Sequence, residues 1–187
     1  MSFARLLLSA SYVTELPNMD AKALPPRHTA VLLIQHYLDN IFVLMPFFSE
    51  TSLFASVEAV YEDSGRGAKS SDHWMLRMVL AISAASQSQQ GGDSYHQIAL
   101  RHVSAALARA DSVLHPGSVA GIQAILLLVQ YSMFDPEHFK VWYLLGMASR
   151  VMVDLGIHQD LSAAPNVDKD HLDLRRRVFN GVFSLDR

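Results

Sequence analysis

Cysteine is absent from the 187 residues. That removes a disulfide framework, a thiolate zinc site, an iron–sulfur cluster and a cysteine nucleophile. Charge is scarce too: 18% of the residues are Asp, Glu, Lys or Arg, where an ordinary soluble domain has about 25%, or about 47 residues at this length. Half of the chain is hydrophobic, so the shortfall implies more exposed apolar area than the few hundred Å² a natural monomer tolerates. We expect cover from the remainder of a longer protein or from a second copy, as in a homodimer. Positive charge is not in surplus: 15 Lys+Arg against 18 Asp+Glu leaves −3. A self-sufficient nucleic-acid binder needs a basic excess to meet phosphates. Long apolar runs are missing. Ala124–Val129 falls far short of the roughly 18 residues a membrane span requires, and the three leucines within Met1–Tyr12 are too few for a secretory leader. An intracellular, soluble chain with no membrane partner is the expectation.

What is present is helical period almost throughout. Prolines and glycines break it at Leu16–Arg27, Pro46, Glu62–Ser70, Gly91–Gly92, Pro116–Gly117, Pro136 and Gly156–Val167. No stretch alternates as a strand does. These breaks predict an all-α fold, an array of about seven antiparallel packed helices without a sheet. Ser94 with Gln97 reads as a capping box, and Ser71 with Asp72 as the cap of the next helix upstream. The segment from Phe139 to Leu155 is apolar on nearly every side, which predicts the most buried helix of the fold, with Trp142 in the core. That helix should stop at Gly156 in a left-handed turn, with Ile157 folding back towards Met152. In the last segment Val178, Phe179, Val182 and Phe183 form one stripe, opposite Arg176, Asn180, Ser184 and Arg187.

Few side-chain groupings survive a test of spacing. Gly65–Ser70 lacks the glycine before its lysine and the leading strand that a phosphate loop needs. Gly92-Asp93-Ser94 resembles the surroundings of some esterase serines, but a glycine turn and a cap explain the same residues without an elbow or an oxyanion hole. His96 and His102 are six apart and point to different sides of a helix. His158, Asp160, Asp168, Asp170, His171 and Asp173 match no metal spacing and suit a helix start. Arg175-Arg176-Arg177 follows three aspartates, and no aromatic residue is interleaved with it for base stacking. We therefore expect no catalytic residues, no metal and no cofactor in this chain. Trp74, Met78, Trp142 and Met147 are the candidate lining of an apolar ligand pocket, since Met and aromatic side chains adapt to varied guests.

One ordered succession is more specific. It runs from Pro26 through His36-Tyr37-Leu38 and Pro46-Phe47-Phe48 to Leu76–Ala85. Ser118 with Ile122-Gln123, Leu128 and Tyr131 comes next, then Trp142, Gly146 and Arg150, then Asp154-Leu155-Gly156-Ile157-His158. Arg175-Arg176-Arg177-Val178-Phe179 and Leu185-Asp186-Arg187 close it. This order resembles the fungal-specific transcription factor domain, the middle homology region of fungal zinc-cluster regulators, over about Pro25 to Arg187. Gln123, Trp142, Gly146, Arg150, Asp154, Gly156, His158, Arg176, Arg177, Asp186 and Arg187 are the residues that match the family pattern. Trp142, Gly146, Arg150 and Asp154 step by four along one helix, so they form a slowly drifting stripe. Arg150 and Asp154 are placed for an ion pair, and Gly146 leaves room for a crossing helix.

The resemblance implies an all-α regulatory region of a nuclear transcription regulator rather than an enzyme. It divides the chain into an N-terminal extension, 1–24, and the family domain, 25–187, truncated on its C-terminal side. Zinc and DNA binding are implied only for a parent protein carrying a six-cysteine cluster. A small-molecule effector fits such a regulator, and a free-standing helical small-molecule sensor is the alternative. Asn180 and Gly181 depart from the family pattern, and Gly181 costs its helix about 1 kcal/mol relative to Ala.

Overall fold

The computed structural model describes residues 2–17, 19, 23–159 and 168–186. Its α-helices are α1 (Phe3–Ser11), α2 (Arg27–Tyr37), α3 (Glu50–Tyr61), α4 (Ser70–Gln87), α5 (Ser94–Leu107), α6 (Ala110–Val113), α7 (Val119–Phe134), α8 (Val141–Asp154) and α9 (Lys169–Leu185). A π-helical turn, Leu38–Phe42, extends α2, and a 3-10 turn, Glu62–Gly65, follows α3. No strand occurs among the described residues; Tyr12 and Phe139 form one isolated bridge. The all-α expectation holds. Its count of about seven rises to nine α-helices among the described residues, partly because the one-turn α6 lies inside a stretch without an interior Gly or Pro signal.

Two helices form the centre. In α4 every residue from Leu76 to Ala85 is buried, and in α7 so are Gly121, Ile122 and all of Ala124–Ser132. α4 touches α2, α3, α5, α6 and α7, and α7 also carries α8 and α9. The aromatic turn after α2 closes one flank: Tyr37 stacks on Phe48 with ring centres 6.1 Å apart, and Phe42 and Phe48 lie 4.9 Å apart. α1, in the segment expected to be an extension, buries Ala4 and Leu7 and packs on α6 and α8.

Helix starts differ in detail from the expected caps. Asp93, not Ser94, caps α5, because its carboxylate accepts from His96 N at 2.7 Å and Gln89 N at 2.9 Å. Those donors hold its carboxyl at about 2. Asp72 sits inside the first turn of α4, where its carboxylate accepts from Lys69 N at 2.8 Å and from the Ser56 hydroxyl at 3.0 Å. At the head of α7, Ser118 Oγ accepts from Gly121 N at 3.1 Å. A Cβ on Gly121 would lie 2.0 Å from the His115 carbonyl oxygen, so only glycine lets that loop close onto the helix.

The expectation for Phe139–Leu155 is overturned. α8 is one-sided: Leu144, Leu145, Ala148, Val151 and Met152 are buried, whereas Trp142 is 73% exposed. Composition made the helix look apolar all round, yet Trp142, Gly146 and Val153 lie on its outer side. The α9 stripe is divided as well. Val178 and Val182 are buried, but Phe183 is 45% exposed and stacks on Phe179 at 5.7 Å.

Inside the fold, Arg77 Nη1 donates to the Ala23 carbonyl at 3.0 Å and to His102 Nδ1 at 3.2 Å. Burial, then the charges of Arg77 and Arg101, push His102 down to about 3. A base with a depressed folded pKa stays neutral in the fold while the unfolded chain takes up a proton, so stability is lost as pH falls from about 6.5 towards 3. Urea midpoints measured across that interval should rise with pH, and His102→Gln should flatten the rise. The burial pattern sets a second expectation. Leu126→Ala should cost about 2–5 kcal/mol, while Trp142→Ala should stay within about 0.5 kcal/mol, as read from denaturant midpoints of the two variants.

Candidate functional site

The family-pattern residues gather mostly at α8 and the turn that ends it. Trp142, Gly146, Arg150 and Asp154 do share one stripe, and all four are exposed. Trp142 meets the edge of Tyr143 with ring centres 5.9 Å apart. Nothing lies within 4 Å of where a Cβ on Gly146 would stand. The expected ion pair between Arg150 and Asp154 is not formed: the described ion pairs lie elsewhere. A cation placed four residues before an anion is the weaker order on a helix, and water surrounds both groups.

The end of α8 is built as its sequence predicts. Gly156 takes φ +64°. Ile157 N–H donates to the Met152 carbonyl at 3.0 Å, and Gly156 N–H to that of Val153 at 2.9 Å. That bond pair is the Schellman arrangement, and buried Ile157 closes over Met152 as the motif favours. Arg175 Nη2 then donates to the Gly156 carbonyl at 2.8 Å, fastening α9 to this turn. The arginine run thus holds two helices together, a task that a basic stretch on a solvated face does not announce. Arg177 pairs with Asp173 one turn earlier at 2.6 Å. Arg176 and Asp186 are exposed on and after α9, and His158 is exposed beyond Gly156. Arg187 and Asp160 lie outside the described residues.

Gln123 acts at a distance from this cluster. Its Nε2 donates to the Phe47 carbonyl at 2.8 Å, so α7 holds the Pro46-Phe47-Phe48 turn. Two separated pieces of the pattern meet in that one bond.

The candidate apolar pocket is not assembled. Trp74 and Met78 are fully buried in α4, while Trp142 projects from the outer side of α8; one enclosed cavity cannot hold both. A cleft of about 270 Å³ opens elsewhere, lined by Ser88, Gly91, His96, Phe134, Asp135 and Glu137 among others. Its most organised wall is Asp135, itself buried. Asp135 Oδ2 accepts from the Tyr131 hydroxyl at 2.6 Å and from His138 Nδ1 at 3.0 Å. His96 Nε2 stands 3.7 Å from the same oxygen. Gly92 N–H donates to His96 Nδ1 at 2.9 Å, which leaves the proton of a neutral ring on Nε2, facing the carboxylate. Burial foremost, then the bond to Asp135 and its charge, raise Tyr131 far above a normal phenol, so it remains a donor. Tyr131 stands in the last turn of α7, and the turn that follows it folds Asp135 and His138 back beside it, a grouping that helical spacing in the sequence does not announce. Among the described residues no three His, Asp or Glu side chains are grouped to hold a metal, and no helix is long and apolar enough to cross a membrane.

Gln123, Gly156 and Arg175 thus cap, clamp and fasten the helices of this all-helical domain. The chain belongs to the family described as the fungal specific transcription factor domain, which matches residues 34–187. It is similar to the positive regulator of purine utilization of Emericella nidulans, at 23% identity over 88% of this chain and 18% of that protein. It is also similar to an uncharacterized transcriptional regulatory protein of Schizosaccharomyces pombe, at 30% identity over 87% of this chain and 27% of that protein. The lactose regulatory protein LAC9 of Kluyveromyces lactis is 28% identical over 88% of this chain and 18% of its own length. The chain therefore spans well under a third of the curated relatives it matches. No solved structure matches it. The family is one of transcription-regulator domains and not an enzyme family.

The turn at Gly156 is testable on its own. An L-residue with a side chain in the left-handed region costs about 1–2 kcal/mol, so Gly156→Ala should lower stability by that amount in thermal unfolding. Arg175→Met should lose the clamp and loosen α9, seen as faster amide exchange in Lys169–Leu185.

Proposed function

We propose that this chain is the regulatory, middle-homology region of a fungal transcription regulator, and that it modulates transcriptional output without catalysis and without contacting DNA itself. The observation that carries the reading is that two family-pattern residues serve the architecture, Gln123 holding the Phe47 turn and Gly156 ending α8, while Arg175 clamps α9 to that same turn. A module of this kind transmits its state by packing, which needs rigid joints and no reacting groups. Sequence-specific DNA contact, and the zinc that supports it, belong to a six-cysteine cluster elsewhere in a parent protein. The place of action is the nucleus. The domain that begins near residue 25 takes in α1 as well, which packs on α6 and α8. Its protein partner is the remainder of the regulator or a second copy of the chain.

A small-molecule effector is part of this reading, and the cleft beside Asp135 is its physical footing. The carboxylates of Asp135 and Glu137 and the ring of Phe134 favour a cationic or donor-rich guest.

The test is a reporter assay in a fungal cell. The chain is inserted between a heterologous zinc-cluster DNA-binding domain and an activation region, and compared with a flexible linker of equal length. Altered output from the chain, lost on Leu126→Asp in the core, is the expected result. Equal output from chain and linker would defeat the proposal. In the same cells the isolated chain should give no sequence-specific occupancy of duplex DNA.

A further inference from the structure

The outer stripe of α8 has an order that points to a specific occupant. Gly146 sits inside the helix, exposed, where glycine costs about 1 kcal/mol relative to Ala. Nothing in the fold approaches it within 4 Å of an added Cβ, so no internal contact explains the missing side chain. Trp142 stands four residues before it, 73% exposed, and Arg150 four residues after it. Further out on the same stripe, Asp154 follows the glycine by eight residues and is exposed as well. Reading outward from Gly146, one arm carries an aromatic ring, and the other a cation and a carboxylate.

We propose that this face pairs with a second copy of the same chain, the two α8 helices crossing antiparallel on a two-fold axis at Gly146. A two-fold contact must be self-complementary: if residue i touches residue j of the partner, j touches i of the partner. With the axis at Gly146, Trp142 meets Arg150 of the other copy, and Arg150 meets the other Trp142. A guanidinium over an indole face is the strongest common cation–π pairing. A parallel crossing would set Trp142 on Trp142 and Arg150 on Arg150, placing like charges together. At the axis itself a bare backbone allows close approach, the role small residues play wherever helices cross tightly. The tryptophan, exposed in the single chain, becomes the central anchor, as large aromatics and Arg do at interfaces. A single helix crossing with its flanks falls at the low end of interface size, below about 1,200 Å², so the association is weak and concentration-dependent. The inference stands on the geometry of α8 alone, so a silent reporter would leave it intact, and a monomeric chain would leave the regulatory reading intact.

Sedimentation velocity of the full chain from micromolar to submillimolar concentration should show its mass rising from 20.8 kDa towards twice that value. Gly146→Leu, which fills the axis, and Trp142→Arg, which sets Arg against Arg, should each weaken dimerisation at least about tenfold, the scale expected when two desolvated cation–π pairings are removed together. Adding Arg150→Trp to Trp142→Arg exchanges the partners and should restore the dimer. All of these positions are exposed, so unchanged circular dichroism confirms folding. Because the chain has no cysteine, Gly146→Cys should cross-link to itself under mild oxidation, since a disulfide needs Cα atoms within about 7 Å; Glu50→Cys, at an exposed position at the start of α3, serves as the control. A chain monomeric at every concentration, a dimer indifferent to Gly146→Leu and Trp142→Arg, or cross-linking no better than the control would overturn the pairing.

Discussion

Everything in this fold depends on burying α4 and α7 on all sides. A helix covered all round saturates its backbone internally, but any polar side chain it carries must find a partner inside the protein. Between Leu76 and Ser132 a few long-range bonds answer that constraint, although Gln130 Nε2 and Ser104 Oγ stay buried without a partner among the described residues. Ser83 Oγ donates to the Leu33 carbonyl at 2.7 Å, Tyr37 donates to Gln130 Oε1 at 2.9 Å, and Gln123 reaches the Phe47 carbonyl at 2.8 Å. Each bond ties a peripheral element to a central helix. A buried donor left without its acceptor costs about 1–3 kcal/mol, so these bonds choose among ways of packing an otherwise adaptable apolar core.

The outer helices are joined in a different manner, through their ends. Asp93 gathers the backbone of the turn between α4 and α5, and its neighbour His96 reaches across to Asp135 after α7. Gly156 turns the chain out of α8, and Arg175 returns from α9 to hold that turn. Joints of this kind leave helix faces free while fixing helix positions, which is what a module acting through its surface requires. The same economy accounts for the low charge of the chain: ion pairs such as Arg27 with Glu58 and Arg177 with Asp173 are exposed and contribute little, and stability rests on packing.

Most of the fold class was legible from period and punctuation, because a helix of ordinary length announces itself through spacing and through the glycines and prolines at its ends. The left-handed residue at Gly156 and the return of Ile157 were readable for that reason: both are local, decided within one turn of chain. The starts of α4 and α5 were readable only to within a residue or two. Several carboxylates and hydroxyls near each start can reach the same N–H groups, and tertiary contacts such as Ser56 with Asp72 choose between them.

The sequence by itself determined an all-helical chain, the principal breaks, the family pattern and the close of α8, since each rests on short-range stereochemistry or on the order of residues. Only the tertiary structure decided which helices lie inside. Phe139–Leu155 and Val119–Phe134 look alike as apolar segments, yet α7 is enclosed by α4, α8 and α9, while α8 keeps one side towards solvent. Whether Trp142 is core or surface depends on which neighbours reach its side of the helix. Periodicity within α8 contains no information about neighbours, and the separation of Trp142 from Trp74 and Met78 follows from that one fact.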